Sequence, residues 1–239
     1  MENDNKQFGQ CARCGLSSAT RICRNPSSGK GPEFCSTLLY SDVIEEAKKV
    51  YKKEDEIFRF TQESARQEGS AYQRDPRSGK NMPVKPRIQE IIDFCERMGY
   101  KRIGLAFCGG LHKEAATVAK IFTAHGLEVV SVMCKVGGVD KCGLLELAPE
   151  ETVSGSNESM CNPISQAMIL NEEKTELNVL LGLCVGHDSL FLKNSNAMCT
   201  ILAVKDRLTG NNPLGPIYTA HSYYAYLAAE PMDSEEGQK

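Results

Sequence analysis

Residues 102–134 run RIGLAFCGGLHKEAATVAKIFTAHGLEVVSVMC. The first seven, RIGLAFC, are short, almost wholly apolar and closed by Gly109-Gly110. The last eight, LEVVSVMC, have the same character. Between them Ala115, Val118, Ala119 and Phe122 recur at helical spacing up to the stop at Gly126. A strand buried on both faces, a covering helix and a second such strand read this way. Two further runs follow, LNVLLGLC at 177–184 and CTILAVK at 199–205. Asn162-Pro163 supplies an N-cap and an N1 proline for a helix to about Lys174, and GHD at 186–188 opens a short helix to about Asn194. Upstream, Ile88, Ile91, Ile92 and Cys95 mark a helix face that ends at Gly99. Apolar runs alternating with helices predict an α/β domain over 83–230, doubly wound and Rossmann-like, with a mainly parallel sheet of at least four strands.

The rest of the chain is organised differently. Residues 1–40 hold four cysteines and little apolar periodicity, which predicts a small metal-binding module. Residues 41–82 read as a helix over 42–66, capped by Ser41 and carrying an i,i+4 pair of Glu45 with Lys49, and then a polar loop over 67–82. A long loop is expected over 136–160, a last helix over 216–229 and a disordered tail over 231–239.

The balance of 28 basic and 31 acidic residues leaves a formal charge of −3 and argues against a nucleic-acid-binding face. No apolar stretch reaches the roughly 18 residues that cross a bilayer, and the polar start MENDNKQFGQ lacks a signal-peptide core. Those features predict a cytoplasmic protein without a membrane partner. Eleven cysteines in a reducing compartment are then metal ligands or small buried hydrophobes rather than a disulfide framework.

Position separates the two. Cys11 and Cys14 form a C-x2-C knuckle, and Cys23 and Cys35 complete four thiols in a segment with no apolar core. Four thiolates are the closed shell of a structural zinc site, although soft thiolates also suit iron. Buried thiols or a redox dithiol are the alternative.

The second group follows from the strand reading. Cys108, Cys134 and Cys184 end three successive apolar runs, so a parallel sheet delivers all three to its carboxyl edge, where α/β folds bind ligands. Cys142 and Cys161 stand on the following loop, and His187 lies at C-x2-H spacing from Cys184. Cys108, Cys134, Cys142, Cys161, Cys184 and His187 are therefore candidate ligands for zinc or an iron–sulfur cluster. Small residues at strand ends are the bland alternative. Cys184, His187 and Asp188 are also the parts of a thiol hydrolase, though neighbours at a strand–helix junction need not form a relay. Gly109 and Gly110 before a helix could cradle an anionic cofactor or substrate. Cys95 and Cys199 are assigned to packing, His112 to the surface at a helix start, His125 to a helix end and His221 to aromatic packing or an interface among Tyr218, Tyr223, Tyr224 and Tyr226; Lys135, Asp140-Lys141 and Lys205-Asp206-Arg207 flank the edge.

The opening CARCG with Cys23 and Cys35, the RIGLAFC run, the Cys134–Cys142 loop with its Lys-x-Gly-Gly, CNPISQA at 161–167 and GLCVGHDSLFLKNSNA at 182–197 together resemble a family of uncharacterised predicted metal-binding proteins, cysteine-rich and found mainly in anaerobic bacteria and archaea. The resemblance covers nearly the whole chain. It implies metal binding through cysteines and implies no reaction. The chain departs from that pattern at Ser36, where proline is common, and at Cys199, where small or branched apolar residues are common; the second departure weakens any ligand role for Cys199. Three functions stay open: redox or small-molecule chemistry at the second site, a metal carrier or sensor without catalysis, and a Cys184 hydrolase. The expected partners are metal ions and a small-molecule substrate.

Overall fold

No side chain is buried among the described residues before Gln67. The computed structural model describes residues 7–53 and 55–229, and it separates into one unit ending at Arg66 and another starting at Gln67. The forecast tail at 231–239 lies outside the described residues.

In the first unit a 3-10 turn at Cys11–Arg13 and the loop 20–30 precede three helices. These are α1 (Ser36–Leu39), α2 (Ser41–Lys48) and the greater part of α3 (Glu56–Ser70), which continues past Arg66. The single helix expected over 42–66 is thus two helices. The Val43, Ala47 and Val50 stripe is separated from Ile57 and Phe58 by charged sequence, and Lys52 and Lys53 there offer no apolar face to bury and are not helical. On α2 the ion pairs are Lys48 with Glu45 and Lys49 with Glu46, each at 2.5 Å and at i,i+3, in place of the expected Glu45–Lys49 pair.

Where a loop over 67–82 is expected, α3 runs on to Ser70 and a small antiparallel hairpin follows, β1 (Tyr72–Arg74) and β2 (Asn81–Pro83). Its turn is built by Asp75, whose carboxylate accepts from Arg77 N–H at 3.0 Å and Ser78 Oγ at 2.7 Å. The chain then alternates as its apolar runs require: α4 (Arg87–Met98), β3 (Arg102–Phe107), α5 (His112–Ala124), β4 (Glu128–Met133), α6 (Lys141–Leu145), α7 (Pro163–Glu172), β5 (Leu177–Leu183), α8 (His187–Asn194), β6 (Met198–Val204) and α9 (Leu214–Tyr218). The loop 136–160 contains α6, capped by the Asp140 carboxylate on Gly143 N–H at 2.6 Å. The helix expected over 216–229 is α9 and a separate 3-10 turn at Ala225–Ala228. Ile217, Tyr218, Tyr223 and Tyr226 are all exposed, so no buried stripe holds that segment in one helix.

The four main strands are all parallel, in the order β4-β3-β5-β6. Ala106, Val132, Leu180 and Leu183 pack on one face with Ala167, Leu170 and Phe191 of α7 and α8. By strand alternation Ile103 and Leu105 turn to the other face, and α5 packs on β3 and β4. Every residue of β5 is buried. The chain runs outward from β3 to β4 and then crosses back to β5, so the order reverses between β3 and β5. Carboxyl ends flanking such a reversal leave a crevice for ligands. Cys108 and Cys184 stand at those two ends.

Candidate functional site

The first unit gathers its four cysteines around one small cavity. Cys11, Cys14, Cys23 and Cys35 all line a pocket of about 90 Å³. The knuckle closes through Cys14 N–H to Cys11 O at 3.1 Å, and Gln10 N–H to Phe34 O at 3.1 Å sets it beside the Cys35 segment. Ile22 N–H to Lys30 O at 2.9 Å closes the loop that carries Cys23. Gly31 leaves room for Cys35: a methyl group there would lie 2.8 Å from Cys35 Sγ. Cys11 Sγ and Ser36 Oγ are 3.1 Å apart, and this hydroxyl holds the Cys11 thiol below its ordinary range.

The second unit delivers cysteines to the carboxyl edge of the sheet. Cys108 N–H donates to Leu181 O at 3.0 Å and Cys134 N–H to Phe107 O at 2.9 Å, so the ladder continues one residue beyond β3 and β4. Asn162 N–H donates to Cys134 O at 2.7 Å, which draws the start of α7 to the end of β4. Cys161 Sγ then lies 3.8 Å from Cys134 Sγ. Gly109 N–H points at Cys134 Sγ from 3.3 Å. Cys184 O accepts from His187 N–H at 3.0 Å and Asp188 N–H at 3.1 Å, which starts α8, and Arg207 Nη2 sits 3.2 Å from Cys184 Sγ. A methyl group on Gly110 would lie 3.8 Å from both Cys108 Sγ and Lys205 Nζ.

Two thiols of this group are tuned apart. Cys134 is 5% exposed; its thiol is raised by its contact with Cys161 and by burial, against the Gly109 N–H. Cys161 is half-buried and lowered to about 7, by the same contact and, after opposing burial, by the Lys135 charge. Lys135 Nζ is fixed by Ser159 O and lies 3.6 Å from Glu158. Glu158 also pairs with Lys141 and accepts from Val153 and Ser154 N–H at 2.9 and 3.0 Å. Lys205 and Arg207 have no carboxylate partner among the described residues.

The remaining candidates are placed as follows. Cys142 is half-buried in α6 and makes no hydrogen bond to another thiol among the described residues. His187 is the first residue of α8; burial lowers it first and Lys141 second, with Asp188 opposing. The Asp188 carboxylate accepts from Ser189 N–H at 2.8 Å. Cys95 is fully buried and pushed up to about 12 by burial, and Cys199 packs against the core. His112 stands edge-on to Phe107 at 6.0 Å, and His125 Nδ1 lies 2.8 Å from Ile121 O.

Two residues with a positioning role lie outside the sequence reading. Gln166, fully buried on α7, donates from Nε2 to Val132 O at 2.7 Å and Phe107 O at 3.3 Å. It ties together the strand ends that carry Cys134 and Cys108. Its Oε1 is buried without a partner among the described residues. Gly182 has φ +69° within β5, where the pairing with β6 slips. A methyl group there would meet Leu111 Cδ1 at 2.2 Å, so glycine permits the kink that aims the end of β5.

Among the described residues no three Cys, His, Asp or Glu side chains converge closely enough to hold a metal ion in this conformation. The donor set is nevertheless that of a soft metal. Sulfurs held tetrahedrally at about 2.3 Å from zinc are about 3.8 Å apart, the spacing at which Cys134 and Cys161 already stand.

A family model described as "Protein of unknown function (DUF1847)" matches residues 35–202. The chain is also 44% identical over 188 residues to the "Uncharacterized protein MJ0455" of Methanocaldococcus jannaschii, a span covering 78% of this chain and 87% of that one. The matched residues contain Cys35 and all of the candidate edge cysteines.

Proposed function

The chain belongs to the DUF1847 family of proteins of unknown function, and from that premise we propose that it is a thiolate metalloprotein working at the carboxyl edge of a Rossmann-like sheet. Cys108, Cys134, Cys161 and Cys184 are the ligands, and zinc or an iron–sulfur cluster is the group they suit. The observation that carries this reading is the Cys134–Cys161 separation of 3.8 Å, beside two further thiols at the ends of β3 and β5. Charge supports it too. Four thiolates around a divalent ion carry a net −2, and Lys205 and Arg207 supply two positive charges that no carboxylate pairs among the described residues. Cys142 and His187 are the alternate ligands in this reading.

When bound, the group would supply Lewis-acid or electron-transfer chemistry in the crevice between β3 and β5, where a small molecule is the substrate. The protein's own part is to hold the thiolates, to balance their charge through Lys205 and Arg207, and to fix the strand ends through Gln166. The first unit holds a structural zinc through Cys11, Cys14, Cys23 and Cys35. Support comes from their shared cavity and from the lack of any buried residue in the described part of that unit. A Cys184 hydrolase is less well supported: the thiol's hydrogen-bond partner is the Arg207 guanidinium, and the Asp188 carboxylate is engaged by Ser189 N–H.

Anaerobic purification, elemental analysis and a visible spectrum test the reading. Wild type is expected to carry metal at both sites, Cys184→Ser to lose the edge metal alone, and Cys14→Ser to lose the other alone. Full metal content in Cys184→Ser would refute the edge site.

A further inference from the structure

Two sulfurs of the edge group that stand 3.8 Å apart differ in access. Cys134 is 5% exposed, and Cys161 is half-buried at the start of α7. Their backbones are joined by Asn162 N–H to Cys134 O at 2.7 Å, so the two residues stay together whatever the side chains do. A disulfide needs its sulfurs at about 2.05 Å and its Cβ atoms near 4 Å. The two sulfurs stand 3.8 Å apart in the reduced protein. Of the other edge thiols, Cys184 faces Arg207, and Cys108 also lies within hydrogen-bonding reach of Cys134.

We propose that Cys134 and Cys161 are a reversible dithiol–disulfide pair, a redox-modification site whose oxidation by a small-molecule disulfide releases the edge metal. The release step rests on the four-thiol reading above; the disulfide itself does not. Cys161, the more accessible sulfur, attacks one sulfur of the oxidant as its thiolate and expels the first thiolate of the oxidant. Cys134 gives up its proton and attacks the Cys161 sulfur of the mixed disulfide, expelling the second. The two protein sulfurs together lose two electrons, and the oxidant leaves as two thiols once protonated. With two of four thiolates tied to each other, a divalent ion keeps only Cys108 and Cys184, too few for a closed shell.

Oxidised glutathione tests both parts on the full chain. Reduced, metal-free protein is exposed to it, acid-quenched, alkylated and mapped as peptides without reduction. The expected product is the Cys134–Cys161 crosslink. Cys134→Ser should instead accumulate a glutathione adduct on Cys161, and Cys161→Ser should leave Cys134 unmodified. Cys134 joined to Cys108 or Cys184, or Cys134 reduced while the other edge thiols oxidise, overturns the pair. In the metal-loaded protein, oxidation should release one edge equivalent per chain, recovered after dithiothreitol and added metal. Crosslinking with the metal retained overturns the release step. A protein that never binds edge metal yet forms the crosslink refutes the four-thiol reading and the release step with it, and leaves the redox pair standing.

Discussion

Cys134 and Cys161 show how one contact gives two thiols opposite properties. Their shared proton favours the Cys161 thiolate, which Lys135 also attracts, while the same contact and burial keep Cys134 protonated. In reduced, metal-free protein Cys161 should therefore react with iodoacetamide faster than Cys134. Its rate should rise with pH and be half-maximal near pH 7, because the thiolate is the nucleophile and its fraction grows as pH passes the lowered value of about 7. Mass-spectrometric rates from pH 5 to 9 check this, and equal rates for both thiols would contradict it. Gln166 tests the frame. Gln166→Leu removes the hydrogen bonds to Val132 O and Phe107 O and should cost about 1–3 kcal/mol in a urea melt, more than a surface substitution. Cys108, Cys134 and Cys184 were legible in the sequence because each ends an apolar run, and Cys161 because it immediately precedes the Asn162-Pro163 helix start. Gln166 was not, since a glutamine on a helix reads as solvent-facing until the helix is placed on strand ends. Arg207 was legible only as a flanking charge, because nothing local shows that it turns onto Cys184.

At the scale of elements, alternation of apolar runs with helices gave the strands and their common direction, and Gly99 and Asn162-Pro163 marked helix ends that the structure keeps. The failures share a cause. Where no face is buried, as across 49–53 and 219–224, apolar spacing alone did not tell one helix from two short ones. The hairpin β1–β2 was hidden in a polar stretch because its order comes from Asp75 rather than from burial. Gly182 carries an element-level prediction. Gly182→Ala places a side chain at φ +69° against Leu111, so it should cost at least about 1 kcal/mol and weaken edge-metal retention more than an alanine at an exposed glycine. The loop 136–160 carries another. Lys141, with Ser154 and Val153 N–H, holds the Glu158 carboxyl down to about 2 against its usual 4.5. A lowered carboxyl stabilises the fold fully above its unfolded value and loses that contribution as pH falls from there towards about 2. Hydrogen exchange over residues 140–160 should be slow at pH 6, faster than its intrinsic acid dependence allows near pH 3, and already fast at pH 6 in Glu158→Gln.

At the scale of the whole molecule the two units depend on different forces. The described part of the first unit has no buried residue, whereas the second has a core on both faces of its sheet. Chelation should therefore expose residues 7–40 to protease while the second unit, with its core, keeps its cooperative melt. Limited proteolysis beside calorimetry, with and without a chelator, checks this. The thiolate centre at the sheet edge is the central claim, and X-ray absorption at the metal edge of anaerobically prepared Cys14→Ser protein tests it most directly, because the first site is then removed. The account predicts bound metal with a first shell made of sulfur, at about 2.3 Å if the metal is zinc. Bound metal with only oxygen and nitrogen neighbours, or no bound metal, would contradict it.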